Sequence, residues 1–448
     1  MSSFNLSKQA DPNKIFLTKF SELEGRFDPF YYKNDFIALN NKINNSPFEL
    51  KKLCQISKKI VNGFDCRNYV DNGITYLKVS NIKMDNININ NAVKIPYQEI
   101  HKDSTIKEND LLLTRKGTFG ISAVVKAIHN NSIISSEIFK ILLEDKKSSP
   151  YVSYWFNTKA GQAYFDRIKT GAIMGHITQE ALRVFPIPIP PKNIQAEIVA
   201  KMDVAYQNKQ NKEVKAKKLL NSIDTYLLGE LEIELPKQTD NSLKARIFIK
   251  RLSDIARGRF DPNFHLIGTN DISEKYELYQ LKLLVNIKKG NSITKENIVN
   301  GNIPVIAGGQ TSPYNHNIAN YQSDVITVSA SGAYAGYVWY HDYPIFASDC
   351  TVISSQINTN ISVKYIYEYL KLKQQYIYNL QQGAAQPHIY PSDLEKLNIP
   401  LPPLEKQNQI AKHISQIREQ AKQLQLDAKT GLEKAKQEVE TMILGSEV

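Results

Sequence analysis

The chain has 448 residues and carries 56 Lys+Arg against 45 Asp+Glu, a formal net charge of +11, with 42% apolar and 23% charged residues. That composition suits two or three globular units with sizeable cores, and no run approaches the roughly 18 apolar residues of a membrane span. The first ten residues lack the apolar stretch of a secretory signal, and three scattered cysteines (Cys54, Cys66, Cys350) argue against a disulfide scaffold and for a reducing cytoplasm.

In chain order, segment 1–191 is the most basic, with 26 Lys+Arg against 18 Asp+Glu. It is expected to be a mixed globular domain. Gly73–Val79 and Asp110–Arg115 have the β-branched, turn-bounded look of strands, a helix is expected around Tyr151–Phe165, and the domain closes on the strap Phe185-Pro-Ile-Pro-Ile-Pro-Pro191. Prolines remove donors and disfavour helix before them, so the strap must be extended and a helix starts only after it. Segment 192–235 follows as a long helix with seven bases and seven acids. Segment 236–403 is a second domain, with strands at Ile303–Ile306, Asp324–Ser329 and Tyr337–Tyr340, a helix around Val363–Leu380, and the strap Ile399-Pro-Leu-Pro-Pro403. Segment 404–448 is a second long helix, again with equal numbers of bases and acids. The excess of positive charge therefore lies on the globular parts, as a polyanion partner requires.

The second half repeats the first. Gly171–Ile177 returns as Gly383–Ile389, and the same offset of 212 carries Pro190-Pro191 onto Pro402-Pro403, Gln195 onto Gln407, Ser136-Glu137 onto Ser348-Asp349 and Gly120 onto Gly332. Arg26-Phe-Asp-Pro29 matches Arg259-Phe-Asp-Pro262 at an offset of 233, so the first copy holds about 21 extra residues before Gly120. A period this long is a duplicated domain, since solenoid repeats run to roughly 20–50 residues.

The C-terminal helix places Ile410, Ile414, Ile417, Ala421, Leu424, Ala428, Leu432, Ala435, Val439 and Met442 on one seam, a heptad pattern with one stutter. The central helix offers Ile198, Met202, Ala205, Lys209, Lys212, Ala216, Leu220, Ile223 and Leu227, interrupted by two lysines. Neither stripe can bury its apolar face alone, so the two helices are expected to pack on each other, antiparallel. The fold class is α+β: two duplicated mixed α/β domains separated by an antiparallel coiled coil, with pseudo-twofold symmetry.

No catalytic motif stands out. There is no phosphate loop and no dinucleotide fingerprint, and the eight histidines (101, 129, 176, 265, 316, 341, 388, 413) make no metal-binding cluster. Asp28 and Asp261 of the repeated Arg-Phe-Asp-Pro read as turn or cap residues. Two pairs of loops suit nucleic acid better. The first pair is Arg115-Lys-Gly-Thr-Phe-Gly120 and Ser329-Ala-Ser-Gly-Ala-Tyr-Ala-Gly336. The second is Arg167–His176 and Gln381–His388. Glycines allow close backbone approach, and bases, hydroxyls and amides meet phosphates or base edges. The candidate DNA-binding residues are Arg115, Lys116, Thr118, Lys169, His176, Ser329, Ser331, Tyr334, Gln386 and His388. The competing reading is plain hairpin turns, with both histidines packed at the foot of their domains. Asn315-His-Asn317 is a further polar loop.

This organisation resembles the specificity (S) subunit of type I restriction–modification systems. The resemblance covers nearly the whole chain. It rests on the duplicated order of domain, proline strap and long helix, on Ile399-Pro-Leu-Pro-Pro-Leu-Glu-Lys-Gln407 with its weaker copy Ile187–Gln195, and on Ser331-Gly-Ala-Tyr-Ala-Gly-Tyr-Val338 leading to Phe346–Cys350. It implies a non-catalytic, cytoplasmic subunit whose domains are target-recognition domains, each reading half of a bipartite site in double-stranded DNA. It also implies that the helices set the spacer and that two modification subunits dock, with Gln195 and Gln407 as partner-binding candidates. Restriction subunits complete the assembly. S-adenosylmethionine, ATP and Mg2+ are expected in the partner subunits and no cofactor in this chain. The alternative is a non-catalytic coiled-coil scaffold with two protein- or RNA-binding lobes.

Overall fold

The computed structural model describes residues 17–18, 20, 23, 27–99, 102–171, 175–234, 249, 251, 272–273, 275–356, 360–383 and 385–445. The second Arg-Phe-Asp-Pro with Asp261, Arg26 of the first, His101, His265, Ala172–Met174 and Ala384 lie outside them. The chain divides into two compact units, Met1–Glu213 with Gln425–Val448 and Val214–Leu424. The helices therefore form no third body, because each is shared between the units.

The first unit opens with helix α1 (Asn34–Asn44), strand β1 (Glu49–Lys52), the single turn α2 (Leu53–Ile56) and β2 (Ser57–Asn62). Strands β3 (Ile74–Leu77), β4 (Val93–Ile95), β5 (Leu111–Thr114), β6 (Ser122–Val124), β7 (Ile133–Ile134) and β8 (Ile138–Leu143) follow. Then come α3 (Ser149–Phe156), α4 (Lys159–Ile168), α5 (Gln179–Arg183), β9 (Pro186–Ile189) and the long α6 (Lys192–Leu231). An antiparallel sheet β2-β8-β5-β6, a mixed sheet β4-β3-β7 and the ladder β1-β9 carry the unit. The short helical stretch expected around Tyr151–Phe165 is divided into α3 and α4, because Thr158 caps a fresh start by accepting from the Gly161 amide at 3.0 Å.

The second unit repeats this plan. It comprises β10 (Ile233–Glu234), β11 (Ile272–Ser273), β12 (Leu278–Gln280), α7 (Leu281–Leu284), β13 (Val285–Lys289), β14 (Ile303–Ile306), β15 (Tyr314–His316) and β16 (Val325–Ser329). After them run β17 (Val338–His341), β18 (Phe346–Ala347), β19 (Cys350–Ser355), α8 (Val363–Leu372), α9 (Gln374–Tyr378), α10 (Pro391–Leu394), β20 (Asn398–Pro400) and α11 (Leu404–Leu444). Its sheets are β13-β19-β16-β17, β15-β14-β18 and β12-β20, strand for strand the arrangement of the first unit, with β10-β11 added. In both mixed sheets the middle strand pairs antiparallel on one side and parallel on the other. The extra residues of the first copy lie chiefly around β4. Strand β3 ends at Leu77 and β4 begins at Val93, whereas β14 ends at Ile306 and β15 begins at Tyr314. The surplus is folded, with Ile82, Ile87 and Ile106 buried in a small core against Leu77 and Leu112.

Each strap becomes a strand. Pro186–Ile189 pairs with Glu49–Lys52, and Asn398–Pro400 with Leu278–Gln280. The proline-rich strap donates little, so its carbonyls are claimed by side chains. Trp155 Nε1 donates to Pro186 O at 3.0 Å and Tyr151 Oη to Pro188 O at 2.6 Å. Tyr365 Oη donates to Pro400 O, also at 2.6 Å. Gln195 and Gln407 complete the pattern by donating to Pro190 O and Pro402 O, each at 2.8 Å. Gln195 Oε1 accepts from Ser148 Oγ, and Gln407 Oε1 from the Ser362 amide. The two glutamines are 6% and 1% exposed, which corrects their assignment as partner-binding residues. They lock strap to helix from the inside.

The long helices run antiparallel in each unit. In the first, Lys201 pairs with Glu438 at 2.5 Å and Tyr206 lies near Glu433. In the second, Lys406 pairs with Glu230 at 2.6 Å and Tyr226 meets His413 at 4.3 Å between ring centroids. Ile198, Met202, Leu432, Ala435 and Val439 share one core with Tyr151, Trp155 and Phe185 of the first unit. Ile223, Leu227, Ile410 and Ile414 likewise join the core of the second. Each fully buried Ile, Leu, Met or Val among them contributes about 1.5–3 kcal/mol. The expected seam shifts at three places. Leu220 is 39% exposed and Leu219 packs instead, Tyr206 is buried beside Ala205, and Ile443 takes the place given to Met442. Arg418 grips the buried Glu368 by donating from both terminal guanidinium nitrogens, Nη1 and Nη2. Among the described residues no helix is long and apolar enough to cross a membrane.

Two outcomes test this packing. Gln407→Ala leaves the Ser362 amide and the Pro402 carbonyl unpaired, a cost of about 1–3 kcal/mol. It should lower the thermal midpoint of the second unit without altering its secondary structure by circular dichroism. His341 is wholly buried, with Nε2 at 2.8 Å from Thr327 Oγ1, and burial pulls its pKa from 6.5 to about 4 against the opposing pull of Asp342. The unfolded chain therefore takes this proton first, so stability is intact above pH ~6.5 and falls as pH drops toward ~4, by up to about 3 kcal/mol. His341→Gln should flatten that part of a denaturation-versus-pH curve.

Candidate nucleic-acid interface

In the first unit, β5 ends at Thr114, whose carbonyl accepts from the Gly120 amide at 2.8 Å and closes the Arg115–Phe119 loop. Gly117 and Gly120 have φ of +67° and +80°, and a Cβ on Gly120 would press within 3.0 Å of the Phe165 ring, so only glycine turns the chain there. The pre-strap loop docks on this one. Ile177 N donates to Arg115 O at 2.9 Å, Thr170 and His176 exchange both backbone bonds at 2.9 Å, and His176 bridges to Lys116. The two loops predicted from sequence are therefore one surface. Lys116 and Thr118 are exposed. Arg115 is half-buried with its guanidinium 5.1 Å from the Phe139 ring, and its Nε meets no acceptor among the described residues. Lys169 pairs with Asp166 at 2.9 Å and lies against the rings of Phe30 and Phe119. His176 is half-buried and shares a hydrogen bond with Thr170 Oγ1 at 3.1 Å.

The second unit repeats the backbone and changes the side chains. Gly336 N donates to Ser329 O at 2.8 Å, Ile389 N to Ala330 O at 3.0 Å, and Gln382 and His388 exchange bonds at 2.8 Å, with His388 bridged to Ser331. Gly336, with φ of +93°, is thus the counterpart of Gly120, and Gly332 (φ +84°) that of Gly117. The ungapped alignment of Gly120 with Gly332 fails because Gly120 lies 16 residues before Ser136 whereas Gly336 lies 12 before Ser348; the second loop itself is one residue longer. Ser331 donates to Asp349, Tyr334 is 47% exposed, Gln386 is exposed, and His388 stacks on Tyr390 with centroids 6.3 Å apart. The first unit thus presents bases and the second hydroxyl, amide, imidazole and phenol groups.

Two sequence readings change. Ser329 is buried, with Oγ turned to the carbonyls of Ala307 and Gly309, so it supports the loop and offers nothing to a ligand. Asn315-His-Asn317 is no free loop. His316 ends β15, is buried and accepts from the Val299 amide at 3.1 Å. Sequence reasoning missed Lys33 and Phe30, where the ammonium lies 4.5 Å from a ring that also meets Lys169. Their signal was the Phe-Tyr-Tyr-Lys run directly after Asp28-Pro29. Asp28 caps that turn by accepting from the Phe30 amide at 3.0 Å, as expected.

Exchanging Lys116 for Ala should weaken duplex binding about equally for all sequences and reduce the slope of log K against log[salt] by about 1. Gln386→Ala should instead change preference within one half-site while leaving the salt slope unchanged. Fluorescence anisotropy on a duplex panel at several salt concentrations separates the two.

A family model described as type I restriction modification DNA specificity domain matches residues 30–221 and again 273–434. The type I restriction enzyme EcoEI specificity subunit of Escherichia coli is 29% identical over 120 residues, covering 25% of this chain and 19% of that protein. A putative type I specificity subunit of Mycoplasma pneumoniae is 30% identical over 156 residues, covering 33% of this chain and 42% of its own length. The chain thus spans less than half of either relative. A solved chain from work on complex assembly and conformational transition of the type I R-M system aligns over 89% of this chain and 97% of its own, with a TM-score of 0.55 and 15% identity. That likeness supports the fold. Since both halves match the family model and fold to one topology, the chain belongs to the type I restriction–modification DNA specificity family.

Proposed function

We propose that this chain is the DNA-reading subunit of a cytoplasmic type I restriction–modification assembly, each unit engaging one half of a bipartite duplex site and neither catalysing a reaction itself. The observation that carries the reading is the loop platform built twice on one backbone plan, where Lys116 bridges to His176 in one unit and Ser331 to His388 in the other. A conserved backbone with exchanged side chains is what two half-sites of different sequence require. Positioning is common to both, while readout rests on the few side chains that meet base edges. Lys116, Arg115 and Lys169 suit phosphate, and Tyr334, Gln386 and His388 suit base edges.

The helices act in this reading as the gauge of the site. Each holds 40 or 41 residues, roughly 60 Å at 1.5 Å per residue, and successive major grooves on one DNA face recur every 34–36 Å or so. Outward-facing positions of net-neutral helices suit protein better than phosphate, so two modification subunits dock there and bring S-adenosylmethionine. Restriction subunits bring ATP and Mg2+.

Removing one heptad from each of α6 and α11 should change the number of unread base pairs between the half-sites and leave both half-site sequences as they were. Methylome sequencing of cells expressing the shortened chain with its modification subunit checks this, and an unchanged spacer refutes the gauge.

A further inference from the structure

The first unit contains a groove of about 770 Å³ that the loop platform does not use. One wall is the α6 face carrying Asp203, Tyr206 and Glu213, which recur at helical spacing. The facing wall brings Asp85 from the surplus link between β3 and β4, Glu108 from the turn before β5, and Tyr154 from α3. Four carboxylates thus face one base, Lys126, in a chain whose net charge is +11. Lys436, close to Met84 at the margin, is already paired with Glu433. An acidic groove repels the phosphate backbone, so its occupant is not the duplex.

Three observations narrow the occupant. Asp85 and Glu108 have no ion pair among the described residues, whereas Asp203 is held by the Tyr154 hydroxyl and Glu213 by Lys209 at 3.0 Å. Among the described residues no three His, Cys, Asp or Glu side chains converge closely enough to hold a metal ion. Carboxylates that do not close on a single ion suit a cation with several directed donors. Finally, Tyr206 is 8% exposed and stacks on Tyr154 with centroids 5.8 Å apart, yet its hydroxyl has no hydrogen-bond partner among the described residues. Burial first, then the charges of Asp85 and Glu433, keep that hydroxyl protonated. A buried hydroxyl without a partner costs free energy that an incoming group recovers.

We infer that this groove receives an arginine side chain presented by a partner polypeptide, with the guanidinium among Asp85, Glu108 and Asp203 and the Tyr206 hydroxyl bonded to the entering segment. Arginine fits because its five donors form a planar fork that serves several acceptors at once, where lysine offers a point charge. Asp85 belongs to the link that is shorter in the second copy, so this contact belongs to the first unit alone and gives a duplicated chain a polarity toward its partners. The inference rests on reading the chain as one subunit of an assembly.

The test uses the full chain labelled with 3-fluorotyrosine, the Tyr206 resonance being identified by its loss in Tyr206→Phe. The probe is acetyl-Gly-Arg-Gly-amide, with the citrulline peptide and a random-sequence duplex as controls. The arginine peptide should shift the Tyr206 resonance saturably, and the citrulline peptide and the duplex should not. Asp85→Asn and Glu108→Gln should each weaken the peptide about tenfold. Tyr206→Phe, followed through the neighbouring Tyr154 resonance, should weaken it several-fold while leaving the thermal midpoint unchanged or higher, because it deletes an unsatisfied buried hydroxyl. No shift up to the solubility limit of the peptide, an equal shift with citrulline, or a shift caused by the duplex overturns the inference. Duplex affinity is measured on the same preparations. Its absence in the unaltered chain overturns the DNA-reading function and leaves the groove result standing.

Discussion

The structure depends on what happens to the carbonyls of a strap rich in proline. Such a segment keeps its acceptors and loses donors, so it cannot enter the middle of a sheet and must find side-chain partners when buried. Here it lies as one side of a two-stranded ladder, and Trp155, Tyr151 and Gln195 reach its carbonyls in the first unit, as Tyr365 and Gln407 do in the second. The glutamine is the decisive member. It sits in the first turn of the long helix and holds the strap carbonyl just before that helix, so the helix axis leaves the domain in a fixed direction. The gauge proposed for these helices needs a rigid joint at its root, and this arrangement offers one in each unit.

Above that joint the two copies agree in backbone and differ in surface. Topology, bridges between loops and left-handed glycines are shared, while Lys116 and Lys169 of one copy correspond to Ser331 and Gln381 of the other. Within the platform, the change of chemistry falls on side chains that leave the backbone frame, such as Lys116 against Ser331. Ser329 shows the limit of that freedom. It lies beside the loop yet serves it from below, bonded to Ala307 and Gly309.

Much of this was legible in the sequence, for identifiable reasons. Strands, straps and helices announced themselves because proline and periodic apolar residues act locally, and the duplication made each reading count twice. The errors came where a neighbour distant in sequence decides the outcome. Gln195 and Gln407 recur because burial demands them, and recurrence alone cannot tell burial from docking. Leu220 lost its seam place to Leu219, the neighbour that packs on the second core. Gly120 was matched to the wrong glycine because the first copy is longer between this loop and Ser136, and a second glycine four residues before Gly336 happened to fall at the ungapped offset. The joining of two loops into one platform through backbone bonds carries no side-chain signal at all.

Net charge teaches the same lesson about averages. A sum of +11 describes a chain suited to polyanions, and the first platform follows the sum. The groove beneath α6 departs from it, and departs in a segment where the first copy is longer than the second. Duplication gives two equal sites for two equal partners. A later difference in loop length is the simplest way to make one end unlike the other, because a loop can grow on the rim of a sheet without disturbing the register beneath it. The surplus around β4 has done so, burying Ile82 and Ile87 on its inner side and setting Asp85 against the helix on its outer side. Asymmetry in a twinned scaffold is thus built by addition to a loop, while the strap and helix that set the geometry stay fixed.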